Sequence, residues 1–133
     1  MYLFDTDILS NLLAKRPSPR LLQRLANVPA DQQFTSTITV GELLYGVYKS
    51  PRAEYYREKL EQLVWPRVQI VPFDRRAAEA YGRLRAELER AGQPLPDADL
   101  MIAAIGLVRN LVVVTGNVKH FARVEGLKVE NWL

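Results

Sequence analysis

The chain has no cysteine and a single histidine, His120, among 133 residues. Without thiols it forms no disulfide, no zinc–thiolate or iron–sulfur centre and no cysteine nucleophile. One imidazole excludes histidine-rich metal sites. Long apolar stretches are also missing. The longest surrounds Leu100–Val108, well short of the roughly 18 residues a membrane span requires. Asp5 and Asp7 stand where an export signal would carry basic residues, so the expected location is cytoplasmic, with no membrane association. Repeats, linkers and low-complexity segments are absent. What remains is 48% hydrophobic and 25% charged, the balance of an ordinary globular protein, and the length suits one domain over residues 1–133. The net charge of +3 is compatible with a polyanionic partner. Most of the 18 basic residues are arginine, the side chain that grips phosphate through two parallel hydrogen bonds, although GC-rich codon usage accounts for that excess equally well.

Short β-like runs alternate with helical ones. Tyr2-Leu3-Phe4 is a strand ending at Asp5, and Ile8, Leu9, Leu12 and Leu13 follow at helical spacing. Leu21, Leu22 and Leu25 mark a second helix. Phe34–Thr37 reads as a strand edge, Ile38–Tyr48 as a helix and Arg52–Leu63 as another. Val68–Phe73 is β-like, and Arg75–Arg90 is a long charged helix that Gly92 stops. An apolar helix runs from Asp97 to Val108. Leu111–Val114 is a strand apolar enough to be buried on both faces, and a last short strand lies near Lys128–Glu130. Strands separated by helices predict an α/β fold with a central, mostly parallel β-sheet flanked by α-helices. Ligands of such sheets sit beyond the carboxyl ends of the strands, which directs attention to Asp5 and to the Thr115–Asn117 turn.

Three carboxylates occupy unusual places. Asp7 is a good cap for the first helix, which leaves Asp5 without a structural task. Glu42 falls at the border of the apolar arc of its helix. Gly41 and Gly46 on that helix each cost up to ~1 kcal/mol of helix propensity, which points to close approach by another backbone or a ligand. Asp99 opens the apolar helix. There a first-turn acid gains ~0.3–1 kcal/mol from the helix dipole, as Asp97 also would, yet a carboxylate tied to a buried element is costly unless paired or metal-bound. Asn117 offers a neutral amide oxygen, and Thr6, Thr37 and Thr115 offer hydroxyls near the same strand ends, all with ordinary turn or capping roles open to them. If the three acids meet at one sheet edge, their repulsion drives each to protonate, and a divalent cation removes that conflict. Oxygen-only ligands favour Mg²⁺ or Mn²⁺ over Zn²⁺, and such a cation suits phosphoryl chemistry.

The stretches Leu3–Leu9, Ser36–Gly46, Pro96–Ala104 and Val114–Phe121, with the closing Gly126–Trp132, resemble the PIN domain family, and within it the VapC-type toxins of VapBC toxin–antitoxin pairs. The resemblance implies a PIN-like α/β fold and a Mg²⁺- or Mn²⁺-dependent endoribonuclease. It places Asp5, Glu42 and Asp99 on the family's catalytic acids, with Asp5 and Asp99 as metal ligands and Glu42, Asp97, Thr115 and Asn117 as auxiliary groups. Many members carry a fourth acid where this chain has Asn117, which leaves the number of metals open. Lys119 or Arg75 are candidates to hold neighbouring phosphates, while His120 is expected to be a surface or packing residue. The implied partners are an RNA substrate, a VapB-like antitoxin and a second copy of the chain. Leu21, Leu22, Leu25, Tyr45, Tyr48, Tyr55 and Tyr56 are candidates for the antitoxin or dimer face. Two alternatives remain: a PIN-like module that binds RNA or a partner without cutting it, and a haloacid-dehalogenase-like phosphatase, suggested by Phe4–Leu9.

Overall fold

A computed structural model describes all of residues 1–133. Strand β1 (Tyr2–Phe4) leads directly into helix α1 (Thr6–Leu13). Then come α2 (Pro19–Ala26), β2 (Gln33–Ser36), α3 (Thr37–Lys49), α4 (Ala53–Lys59), β3 (Gln69–Val71), α5 (Arg75–Arg90), α6 (Asp97–Arg109), β4 (Val112–Val114), the short α7 (Val118–Phe121) and β5 (Val129–Glu130). The strands form one sheet in the order β3-β2-β1-β4-β5, and every pairing is parallel. The expected mostly parallel sheet is thus parallel throughout.

The sheet is buried on both faces because its strands carry apolar residues on both sides of the pleat. Leu3 and Val113 pack with α5 and α6 through Ala77, Leu84, Ile102 and Ile105. Their neighbours Phe4 and Val114 face the other way, against Ile8, Leu9, Leu21, Leu60 and Trp132. Two helical layers therefore sandwich the sheet. On one side α6 lies so close to β4 that a Cβ on Gly106 would stand 2.9 Å from Val113 Cγ2, so no larger residue fits there without movement.

The order of the strands matters for function. From β1 the chain builds outward to β2 and β3, then crosses back to place β4 on the opposite side of β1. The carboxyl ends of β1 and β4 are therefore a topological switch point, where two connections diverge and leave a crevice. Asp5 follows β1 immediately, and Thr115 follows β4 immediately.

Several expectations need correction. The cap of α1 is Asp5, whose side chain accepts from the Thr6 N–H, and Asp7 lies inside the first turn. Thr37 begins α3 instead of ending a strand, because the Ser36 hydroxyl accepts from the Thr39 N–H and starts the helix there. The helix expected over Arg52–Leu63 is regular only to Lys59 and then widens over Leu60–Val64, turning Leu60 and Val64 into the core. No atom approaches within 4 Å of a Cβ placed on Gly41 or Gly46, so neither glycine admits another part of this chain. Leu21 and Leu25 are core residues, whereas Leu22, Tyr45, Tyr48 and Tyr55 are exposed. The short α7 after Asn117 was not anticipated.

Candidate active site

The site is built outward from Asp5, which is 6% exposed. Its backbone N–H still belongs to the sheet, donating to the Val114 carbonyl (2.9 Å). One carboxylate oxygen accepts from the Thr6 N–H (2.7 Å) and the other from the Thr115 hydroxyl (2.8 Å). Thr115 also accepts from the Asn117 N–H (2.9 Å). The first residue after β4 thereby fixes both the acid at the end of β1 and the turn that follows.

Burial pushes the Asp5 carboxyl up to about 6. The Thr115 hydrogen bond opposes the rise, and the Asp7 and Asp99 charges add to it. Asp7 is raised too, chiefly by burial and against a hydrogen bond from Gly116. The Gly116 N–H donates to Asp7 Oδ2 at 2.8 Å. A Cβ on Gly116 would collide with that same oxygen at 2.8 Å, so the glycine is what lets the carboxylate reach the backbone. The remaining oxygen, Asp7 Oδ1, is buried without a partner. An unsatisfied buried acceptor is costly, and here it belongs to a cluster of repelling acids.

Asp99, in the first turn of α6, has a side chain 19% exposed. Its Oδ2 lies 2.9 Å from His120 Nδ1, and the Asn117 amide lies 2.7 Å from the same nitrogen. Glu42 reaches the group from α3 and is joined to it through Thr6. The Thr6 hydroxyl donates to Glu42 Oε1 (2.6 Å), while its backbone N–H serves Asp5. With that hydroxyl proton committed, Thr39, 3.2 Å away, acts as donor to Thr6. Thr6 thus spans the first acid and Glu42.

Asp97 is turned elsewhere. It accepts from the Tyr81 hydroxyl (3.1 Å) and lies 3.4 Å from Arg85, both on α5. Thr37 accepts from the Phe73 N–H and ties α3 to the end of β3. Arg75 pairs with Glu79 on an exposed face, and Lys119 is exposed on α7, next to His120. The structure therefore gathers Asp5, Asp7, Asp99, Thr6, Thr115, Asn117 and His120 at the switch point with Glu42 on its rim, and leaves Asp97 outside.

Asp5, Thr6, Asp7, Ser10, Asn11 and Asn117 line an open cleft of about 590 Å³ with no hydrophobic residue in its lining. A groove of about 300 Å³ adjoins it through Ser10, lined by Leu13, Leu43, Val47 and Tyr56 with Glu42 at one side. No three Asp, Glu or His side chains close into a ready-made metal cage. Carboxylates spaced around an open cleft suit a cation that keeps several of its waters, as Mg²⁺ does. The all-oxygen donors, the orphaned Asp7 Oδ1 and the raised Asp5 carboxyl fit such an ion.

Residues 2–127 match the family model described as PIN domain. The chain belongs to the PIN domain family. It is 34% identical to the tRNA(fMet)-specific endonuclease VapC of Shigella flexneri over 131 residues, covering 98% of this chain and 97% of that protein. It is 33% identical to Ribonuclease VapC2 of Rickettsia felis over 132 residues, covering 99% and 98%. Among solved structures it resembles VapBC2 from Rickettsia felis bound to a DNA fragment from its promoter, with TM-score 0.90, 34% identity and coverage of 99% and 98%.

Within this PIN domain, sequence reasoning gave Asp7 and His120 no place among the site residues. Asp7 was legible as a helix cap and as the second acid of the phosphatase-like Phe4–Leu9 run, because its contact is with Gly116, far along the chain. His120 carried a weak signal, lying three residues after Asn117 at the spacing of one helical turn.

Proposed function

We propose that the chain is a Mg²⁺- or Mn²⁺-dependent endoribonuclease, the VapC-type toxin of a VapBC pair. The observation that carries this reading is the meeting of Asp5, Asp7 and Asp99 at the switch point, with two of the carboxyls raised and a buried carboxylate oxygen unpartnered. Asp5 and Asp99 would hold the cation, and Asp7 Oδ1 is placed to assist. When bound, the cation neutralises phosphate oxygens and makes water a better nucleophile at neutral pH. The remaining work belongs to the protein. Thr115 and the Thr6 N–H fix the plane of Asp5, and the Thr6 hydroxyl fixes Glu42, whose other oxygen is free to orient a water. Water adds at phosphorus and gives up a proton as the P–O3′ bond breaks, and the ribose 3′ oxygen leaves as a hydroxyl, taking its proton from solvent. Lys119, exposed beside the site, supplies a cation for a neighbouring phosphate.

The partner assignments follow the same chemistry. The groove beside Glu42 would take an apolar side chain of a VapB-like antitoxin, with a following arginine entering the acidic cleft. The exposed Tyr45, Tyr48 and Tyr55 supply a face for a homodimer; light scattering that finds only monomers at high concentration contradicts it. No helix is long and apolar enough to cross a membrane, and we assign the protein to the cytoplasm. Phe4–Leu9 alone suggested a phosphatase, and the match of residues 2–127 to the PIN domain sets that alternative aside.

The test is cleavage of folded RNA, initiator tRNA first because the Shigella flexneri relative is named for it. Mn²⁺-dependent cutting by the wild type should be lost in Asp5→Asn and Asp99→Asn and reduced in Glu42→Gln. Full activity in all three overturns the reading. RNA binding in EDTA with no metal-stimulated turnover identifies the non-cutting module instead.

A further inference from the structure

His120 has no task in the mechanism above, yet two side chains converge on one of its ring nitrogens. Asp99 Oδ2 lies 2.9 Å from its Nδ1 and the Asn117 amide 2.7 Å from the same atom. Its backbone N–H donates to the Asn117 carbonyl (3.2 Å), which fixes the start of α7. The ring is only one-third exposed, so its position is set by packing as well as by these contacts. A ring-nitrogen lone pair facing a carboxylate is repulsive, whereas an N–H facing it makes a charge-assisted hydrogen bond. The proton therefore sits on Nδ1 and donates to Asp99. The end of Asn117 that faces the ring is then its carbonyl oxygen, because an amide N–H would meet another donor, and the single Nδ1–H is shared between that oxygen and Asp99 Oδ2 as a three-centre hydrogen bond.

We propose that His120, held by Asn117, is a positioning residue for Asp99. Its Nδ1–H commits one carboxylate oxygen, fixes the plane of the carboxyl group and leaves the other oxygen for the cation. Asn117 then serves the site through His120 and not as a ligand. This role rests on the nuclease reading, and it differs from general-acid catalysis in needing no proton transfer to the substrate. Metal-binding carboxylates are commonly oriented by such hydrogen bonds, whose loss costs ~10–100-fold in metal affinity or activity.

The geometry permits a discriminating substitution. An asparagine at 120 places its amide N–H near the position of Nδ1–H, whereas a glutamine places it near Nε2. Mn²⁺ binding to the full chain is measured by calorimetry for wild type, His120→Asn, His120→Gln and His120→Ala, with melting in EDTA to show that each variant folds. RNA cleavage at saturating Mn²⁺ is followed in parallel. The Mn²⁺ Kd is expected to rise about tenfold or more in His120→Gln and His120→Ala and to stay within about threefold of wild type in His120→Asn, with the KM for RNA unchanged. Equal Kd values in all four proteins, or an asparagine variant as weak as alanine, overturn the role of His120 while the nuclease reading stands. A wild type that neither binds Mn²⁺ nor cuts RNA overturns the nuclease reading itself, and the proposal with it.

Discussion

Two Asp-x-Asp pairs open helices in this chain, Asp5-Thr6-Asp7 at α1 and Asp97-Ala98-Asp99 at α6, and the fold treats them differently. Both acids of the first pair line the cleft. The second pair is split, with Asp99 facing His120 and Asp97 facing Tyr81 and Arg85. The difference comes from where the helix starts. Asp97 and Asp99 are both helical, so their side chains point about 200° apart around the axis. Asp5 is not helical. Its backbone is extended at φ −72° and ψ 165°, still hydrogen-bonded into the sheet, and only Asp7 lies within α1. A pair that straddles a strand–helix junction can aim both acids at one point, and a pair inside a helix cannot.

The largest break in this comparison comes from removing charge at Asp5. Asp5→Asn keeps the shape and one acceptor oxygen, and we expect it to lower Mn²⁺-dependent cleavage by more than the ~100-fold that loss of a supporting partner costs. The same substitution sharpens a second expectation, the pH dependence of the cation-free protein. The Asp5 carboxyl is held at about 6 in the folded chain against 3.8 for the free group. Between those values the folded state keeps a proton that the unfolded chain has released. The contribution of Asp5 to stability is therefore complete below pH 3.8 and is lost as pH rises through 6. The size is about 3 kcal/mol, from ~1.4 kcal/mol per pH unit. Because part of the contribution is already gone by pH 4.5, urea melts in EDTA at pH 4.5 and 7 should show a loss larger by about 2 kcal/mol in wild type than in Asp5→Asn, where only the raised Asp7 still titrates. Parallel curves for the two proteins contradict it. Added Mn²⁺ at pH 7 should restore stability by binding the folded state alone.

A smaller break separates packing from the site. Gly116→Ala forces a methyl into the Asp7 carboxylate, and Gly106→Ala forces one against Val113 in the core. Both should cost about 1–3 kcal/mol of stability in denaturant melts. Only Gly116→Ala should also weaken Mn²⁺ binding, because only there is the displaced atom a cleft carboxylate. Equal Mn²⁺ affinity in the two variants means that Asp7 takes no part in holding the cation.

The uneven legibility of the two pairs has the same origin. The strands, the long helices and the parallel sheet follow from local periodicity, and Arg75–Arg90 was readable to the residue because its cap and its stop are both nearby in sequence. Asp5 was identifiable because an acid directly after a buried strand of a parallel sheet lies at a ligand-binding edge. Its role as helix cap was misassigned to Asp7, since either residue satisfies the local pattern. Asp7 and His120 stayed hidden because the contacts that define them, to Gly116 and to Asp99, span long stretches of chain. Gly46 was read as a point of approach for another backbone or a ligand, and only the backbone is missing. Its cost in helix propensity is real, but it opens onto the groove beside Tyr56 and not onto a neighbouring backbone.

The smallest expected effect belongs to Asp97. It shares its helix turn with Asp99 and satisfies the same sequence pattern, so a reading based on spacing alone gives the two acids equal standing. The structure leaves its side chain 59% exposed and pairs it with Arg85, itself half exposed. Ion pairs this open are screened by solvent and contribute little. Asp97→Asn should leave cleavage and Mn²⁺ affinity unchanged and move the Tm by no more than about 2 °C, whereas Asp99→Asn should abolish cleavage with a comparably small change in Tm. If instead Asp97→Asn disabled the enzyme while Asp99→Asn did not, the split of the α6 pair would be reversed. Asp97 would then have to turn from Tyr81 towards the cleft in the working enzyme, which requires the start of α6 to rotate by about half a turn.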